Sequence, residues 1–203
     1  MYKMKSSTLF ITSSKVLLLS VVFGTFFLGQ SASAADINKA TDLDVTFTPG
    51  ALTLEAVSTI SYASQTISVN DASYVPTNPG AINVVVSDAR GTNAGWKLSG
   101  KLNGFKNSSA AASLPNASLN FKNTQAGTNS DADAPTPVNT VKLTSGAETA
   151  SPFATATAGA GAGTWTFTWP DAENTGVTLD VPAAMATLGK HTSTIDWTLA
   201  DAP

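Results

Sequence analysis

Short runs in which apolar and polar residues alternate recur along most of the chain, and this period of two most limits what the sequence can fold into. Successive side chains of a strand point to opposite faces, so each run would have one apolar and one polar face. Clusters of Gly, Pro, Asn and Asp separate the runs, which favours turns between strands. The apolar members of the runs are Leu43, Val45 and Phe47; Leu52 and Leu54; Trp165, Phe167 and Trp169; Val177, Leu179 and Val181; and Ile195, Trp197 and Leu199. Residues 82–86 predict a more fully buried strand.

The composition favours the same class, because Thr, Ser, Val and Gly are abundant while Glu, Lys, Arg and Met are scarce. We therefore predict an all-β fold: a single antiparallel β-sandwich of immunoglobulin-like or related Greek-key form. Long Gly/Ala/Pro-rich loops are expected at residues 125–137 and 158–163, and both are expected to resist packing. Residues 182–188 are a helix candidate, too short to change the fold class.

The first 34 residues have the organisation of an export signal. Three lysines give a basic beginning, residues 16–28 are mostly apolar, and residues 32–34 (Ala-Ser-Ala) match the small-x-small pattern of a cleavage site. A retained membrane anchor is the alternative, but the apolar run is shorter than the roughly 18 residues that a span requires. Cleavage after residue 34 would leave a flexible lead-in over residues 35–41 and one domain over residues 42–203.

Loss of three lysines with the signal changes the formal charge from −3 to −6. A net-acidic chain with no basic run is a poor nucleic-acid binder, and an anionic surface would repel it at long range. We expect a secreted protein with no transmembrane segment after cleavage, and no nucleic-acid partner.

Thiol and imidazole groups, which serve as metal ligands and in nucleophilic catalysis, are scarce. The chain contains no cysteine, and His191 is its single histidine, for which a solvent or turn position is expected. The pairs Asp42/Asp44 and Asp131/Asp133 could suggest calcium, but neither continues into a recognised loop with a bidentate Glu. We predict no cofactor, no metal and no enzymatic activity, and an enzyme is the minor alternative.

Two Trp-x-Leu motifs stand out, Trp96-Lys97-Leu98 and Trp197-Thr198-Leu199. In a strand, the Trp and the Leu of each motif share a face. The face of Trp96 would continue through Gly100 and Leu102 on the same strand. Any sandwich strand can show such a pair, so the spacing alone does not indicate a function.

Asp88 and Arg90 precede the first motif and lie two residues apart. One interpretation is a structural salt bridge, or a backbone hydrogen bond, that sets the turn between Gly91 and Gly95. The other interpretation places Arg90 against a carboxylate of a peptide ligand.

The context of the two motifs is more specific than their spacing. Residues 86–99 (VSDARGTNAGWKLS) closely resemble the first motif of the WxL family of surface domains, and residues 195–203 (IDWTLADAP) resemble its C-terminal motif. The resemblance covers roughly residues 36–203. It implies a wall-binding domain of Gram-positive bacteria that associates non-covalently with peptidoglycan. A membrane-anchored WxL-interacting protein and other WxL proteins are the further partners that it implies.

The chain ends without a Leu-Pro-x-Thr-Gly sorting signal or an apolar tail, and it has no lipobox cysteine. We therefore expect retention at the cell surface by binding alone. The alternative function is a structural or adhesive role in a surface complex with a membrane-anchored partner or a host protein. The candidate ligand-binding residues are Trp96, Leu98, Trp197, Leu199, Asp88 and Arg90. Each Trp and Leu could equally pack in the core, and alternation does not separate these interpretations.

Overall fold

The structure is a computed structural model that describes residues 39–128, 130–170, 173 and 175–202. The chain divides into two units, Met1–Val45 and Thr46–Pro203. The predicted signal and residues 35–38 of the predicted lead-in lie outside the described residues. Among the residues described, no helix has the length and apolar character to span a bilayer.

The second unit consists of strands joined by turns and irregular segments, with one 3-10 helix at Pro79–Ala81 and no α-helix among its described residues. The strands are β1 (Leu52–Val57), β2 (Ala72–Tyr74), β3 (Asn83–Asp88), β4 (Trp96–Leu102), β5 (Lys106–Asn107), β6 (Ser118–Lys122), β7 (Gln125–Thr128), β8 (Thr136–Pro137), β9 (Thr140–Thr144), β10 (Ser151–Ala156), β11 (Gly163–Thr168), β12 (Val177–Val181), β13 (His191–Thr192) and β14 (Ile195–Asp201).

The strands form three four-stranded sheets, in the orders β1-β3-β11-β7, β14-β4-β10-β8 and β2-β12-β6-β9, and β13 pairs with β5. Every pairing between these strands is antiparallel. The predicted all-β antiparallel fold is confirmed. The sheets do not close into a barrel, which is consistent with a sandwich.

Side chains from the three larger sheets meet in one hydrophobic core. Phe167 comes from the first sheet, Leu98 and Phe153 from the second, and Phe121 from the third, and none is more than 1% exposed. The rings of Phe121 and Phe153 lie edge to face with their centroids 5.0 Å apart, a favoured geometry for aromatic pairs. The sheets are therefore held together by interlocking aromatic side chains.

The buried faces predicted from alternation are confirmed for several strands. Trp165, Phe167 and Trp169 are all buried, as are Val177, Leu179 and Val181. β4 buries Trp96, Leu98, Gly100 and Leu102 on one face, as its period of two predicts.

The strand predicted from Leu43, Val45 and Phe47 is wrong. These side chains are 91%, 71% and 86% exposed, and none of the described strands pairs with this segment. Alternation gives a segment two faces, but a strand also needs a neighbour for its backbone hydrogen bonds. The first ladder begins only after Gly50, whose N–H donates to the carbonyl of Ala89 at 2.9 Å.

The helix candidate at residues 182–188 is also wrong. The N–H of Met185 donates to the carbonyl of Pro182 at 3.2 Å, which closes a single turn. Ala184 has a φ of +58°, in the left-handed region that a right-handed helix cannot contain.

The loop predicted at residues 125–137 is shorter than expected, because β7 and β8 occupy its two ends and pair with β11 and β10, whereas residues 130–135 lie between strands. Both are edge strands, and an edge strand can be polar without burying charge or amide groups. Residues 158–162 do form a turn, as predicted, but they are not loosely packed. Ala160 is only 9% exposed, and Gly163 already opens β11.

Candidate functional site: the paired motifs and the groove beside them

The two Trp-x-Leu motifs lie side by side in one sheet. The first motif opens β4 and the second lies in β14, and these strands are antiparallel neighbours. Leu98 is directly opposite Leu199, and Trp197 is directly opposite Gly100. Opposite residues of antiparallel strands share a face. The Trp and Leu side chains of both motifs therefore point to the same side of the sheet.

Trp96 is fully enclosed by the core. Its side chain is 0% exposed and meets the ring of Phe167 edge to face at 6.1 Å. Its indole Nε1 donates a hydrogen bond to the carbonyl of Gly161 at 3.0 Å. Gly161 has a φ of +78°, and a Cβ added there would lie 2.4 Å from the Cβ of Ala156 and 2.7 Å from the indole nitrogen. The turn after β10 therefore closes over Trp96 only because residue 161 is glycine.

Trp197 is only half-buried. Its ring packs against Phe153 at a centroid distance of 4.6 Å. It also covers Gly100, where an added Cβ would lie 3.2 Å from the Trp197 ring. Leu199 is likewise half-buried, whereas Leu98 is 1% exposed. The first motif is thus inside the core, and the second keeps part of its apolar surface accessible.

Arg90 joins the turn before the first motif to the end of β14. Its Nε and Nη2 donate to the two carboxylate oxygens of Asp88 at 2.9 and 2.8 Å, and Nη2 also donates to the carbonyl of Gly95 at 2.9 Å. Its Nη1 donates to the carboxylate of Asp201. This network fixes the approach to the first motif against the strand that carries the second.

The charges of this network stabilise each other. The hydrogen bond from the Arg90 side chain holds the pKa of the Asp88 carboxyl below its usual range, and the same bond raises the pKa of Arg90. The predicted structural salt bridge between Asp88 and Arg90 is therefore confirmed. Contact between Arg90 and a ligand stays a prediction, and four side-chain hydrogen bonds already engage its guanidinium.

A groove of about 1150 Å³ opens beside the second motif. One wall is the irregular chain of residues 58–67, and residues 186–187 and 189–195 lie along the groove as well. Six aromatic side chains line it: Tyr62, Tyr74, Phe105, Phe121, Trp169 and Trp197. Phe121 and Trp169 are buried core residues, and Trp197 contributes the accessible part of its motif. Binding sites for organic ligands combine this kind of concave aromatic surface with a few polar groups.

The polar groups of the groove carry no negative charge. Among the described residues that line it, Lys190 and His191 are the basic side chains, and none is Asp or Glu. Hydroxyl groups of Ser and Thr supply most of the remaining polarity, from Ser58 to Ser64 on one side and from Thr192 to Thr194 on the other. The surface therefore suits a ligand that has apolar faces, amides and carboxylates.

Tyr62 and His191 differ in how their polar atoms are satisfied. The hydroxyl of Tyr62 is buried without a hydrogen-bond partner among the described residues, and burial raises the pKa of this phenol strongly. The ring nitrogens of His191 lie 2.9 Å from the hydroxyl of Ser113 and 2.9 Å from the carbonyl of Thr187. His191 thus lies in the short strand β13 with both nitrogens engaged, where the sequence predicted a solvent or turn position.

The fold brings all six candidate residues into one part of the domain, since Asp88 and Arg90 reach the end of β14 and both motifs share a sheet. The sequence reasoning missed Asp201 and the groove. The alternation of Ile60 and Tyr62 with Ser61 was the available signal for the groove wall, since both apolar residues pack against the core. Whether any of the six contacts a ligand stays a prediction.

Within the described parts of the chain, no group of three or more His, Asp or Glu side chains could hold a metal ion. Neither the Asp42/Asp44 pair nor the Asp131/Asp133 pair therefore belongs to such a group among the described residues.

Comparison with known proteins identifies a family. The model of the WxL domain family, described as surface cell wall-binding, matches residues 34–203. No curated protein and no solved structure matches the chain significantly.

Proposed function

The chain belongs to the WxL family of surface cell wall-binding domains, and from that premise we propose that it attaches non-covalently to peptidoglycan as a secreted protein. The observation that carries the proposal is the aromatic groove beside the second motif, to which Trp197 contributes. The export signal predicted for residues 1–34 would deliver the domain to a Gram-positive surface. Binding, with no catalytic step, would then retain it there.

The chemistry of the groove supports peptidoglycan as the ligand. Sugar rings have apolar faces that pack on aromatic side chains, and N-acetyl and peptide amides can bond to the Ser and Thr hydroxyls along the walls. Stem peptides and wall polymers also carry anionic groups. Because Lys190 and no described carboxylate line the groove, the groove adds no short-range repulsion to the long-range repulsion from the acidic domain.

The half-buried state of Trp197 supports a direct role for the second motif. Apolar surface that is removed from water stabilises a complex by about 25 cal/mol per Å². Trp197 has accessible surface to offer, whereas Trp96 has none. We therefore propose that the second motif takes part in the wall contact and that the first shapes the sheet behind it.

Sedimentation with purified cell walls tests wall binding. The protein from residue 35 to residue 203 is incubated with sacculi before and after removal of teichoic acid, and the bound fraction is measured. We expect binding to both preparations, because the groove is matched to peptidoglycan. Failure to sediment with either would contradict direct wall binding, and binding only before removal would assign the ligand to the anionic polymer.

The second candidate function is a role in a surface complex, and the free edge of β14 favours it. Among the described strands it pairs only with β4, so its other side presents backbone N–H and C=O groups to which another strand could add. A membrane-anchored WxL-interacting protein, another WxL protein or a host protein could be the partner. Hydrogen exchange with a purified partner tests this: new protection confined to the β14 amides supports it, and unchanged exchange in β14 contradicts it.

A further inference from the structure

The apolar side chains of a segment before the first strand are largely exposed. Leu43, Val45 and Phe47 are 91%, 71% and 86% exposed, although they alternate with Asp44 and Thr46 as the residues of a half-buried strand do. Three large apolar side chains at a spacing of two form a strip that water solvates poorly. We call residues 42–48 the donor segment.

The free edge of β14 has the matching pattern. Ile195, Trp197 and Leu199 are half-buried on one face and have the same spacing of two, while Asp196 and Thr198 are exposed on the other. A strand added beside β14 would place its apolar side chains next to these three and its polar side chains next to the exposed face. The added strand would also extend apolar surface from Trp197 and Ile195, which line the groove.

Two of the other described sheet edges, β1 and β9, are less open to addition. The ladder of β1 is interrupted by a bulge between Leu54 and Ala56, and β9 presents Lys142 at its centre. Bulges and edge lysines are features that hinder strand addition. β14 pairs with β4 in unbroken register over seven residues and contains neither lysine nor proline.

Charge decides the direction of the added strand. A parallel arrangement that aligns the two apolar strips would set Asp44 beside Asp196, and like charges directly opposite each other are destabilising. An antiparallel arrangement sets Asp44 opposite Thr198, Thr46 opposite Asp196 and Val45 opposite Trp197. Antiparallel addition therefore matches both the apolar and the polar faces.

We propose that the donor segment of one copy adds as an antiparallel strand to the free edge of β14 in a second copy. Each chain carries one donor segment and one acceptor edge, so the contact is head to tail and can continue into open chains of copies. This self-association is separate from wall binding, and its test contains no wall material.

Sedimentation velocity over a wide concentration range tests the association. For the protein from residue 35 to residue 203, the mean mass should rise with concentration. Phe47→Lys should weaken association by on the order of tenfold or more. Val69→Lys is the matched control, because Val69 is 80% exposed and, unlike Ile195 and Trp197 of the acceptor edge, does not line the groove. The proposal fails if the unaltered protein stays monomeric, if Phe47→Lys associates normally, or if the control loses association equally.

Cysteine cross-linking tests the register, since the chain has no cysteine of its own. Asp44→Cys and Thr198→Cys proteins, distinguished by a mass tag, are mixed and oxidised, and the yield of mixed dimer is measured. Asp44→Cys mixed with Asp196→Cys is the control for chance collision, and it should give a much lower yield. Equal yields would overturn the antiparallel register.

Cysteines at the same two positions show whether the donor segment pairs with a second copy or with its own chain. A protein that carries both cysteines is oxidised in dilute solution and examined by non-reducing electrophoresis. Dimers and larger species are expected. A monomer with an internal disulfide would show that the donor segment pairs with its own sheet, and it would overturn the proposal.

Discussion

Replacing Trp96 by alanine should cost about 3–5 kcal/mol of the free energy of unfolding, the range for a large aromatic side chain in a core. The side chain is 0% exposed, so its removal leaves a cavity beside Phe167. The substitution also leaves the carbonyl of Gly161 without its hydrogen-bond donor. An unpaired buried polar group costs about 1–3 kcal/mol, and part of this cost is already included in the range given for the side chain. Trp197→Ala should cost less, about 1–3 kcal/mol, because that ring is only half-buried.

Guanidinium unfolding followed by circular dichroism measures both variants, and sedimentation with sacculi is carried out at a temperature where both are folded. Folded Trp96→Ala should retain wall binding, whereas folded Trp197→Ala should bind more weakly. The reasoning is refuted if Trp96→Ala costs less than about 1 kcal/mol, which is below the range for any buried aromatic side chain. It is also refuted if the folded Trp96 variant alone loses binding.

Three further substitutions test the supports of the motifs. Gly161→Ala should destabilise the domain by several kcal/mol in denaturant titrations, because the added Cβ would overlap Ala156. Gly159→Ala is the control, since residue 159 also has a positive φ but has open space around it. This variant should cost only about 1 kcal/mol. The folded pKa of Asp88 lies below the unfolded value of about 3.9. The ionised carboxylate therefore adds to the free energy of unfolding above that pH, and this stabilisation is lost as the pH falls through the folded pKa. Asp88→Asn should flatten the acid side of the stability–pH curve. Asp201→Asn, at the exposed end of the same network, should change the free energy of unfolding by less than about 1 kcal/mol.

The strands with one buried face could be predicted from the sequence, because the period of two and the turn residues are local signals. This holds for β11 and β12, whose apolar residues face the core as expected. The same signal failed at Phe47, since alternation does not show whether a neighbouring strand exists. It also missed β7 and β8, because edge strands tolerate polar residues on both faces.

The candidate site could be predicted only in part. The flanked motifs identified the family, and the spacing of Asp88 and Arg90 indicated their salt bridge. The pairing of β4 with β14 joins distant parts of the chain, and no local pattern specifies it. The groove depends on an irregular segment around Tyr62, whose path is set by tertiary packing.

The affinity of the domain for soluble peptidoglycan fragments tests most directly the claim that the groove is the wall-contacting surface. Ile67 lines the groove and is 43% exposed, while Val69 lies two residues away, is 80% exposed and is not among the lining residues. Calorimetry should show that Ile67→Asp weakens binding by about tenfold or more, equivalent to at least about 1.4 kcal/mol, while Val69→Asp, with the same change in charge, stays within about twofold of the unaltered protein. Equal affinities for the two variants would contradict the assignment of the groove.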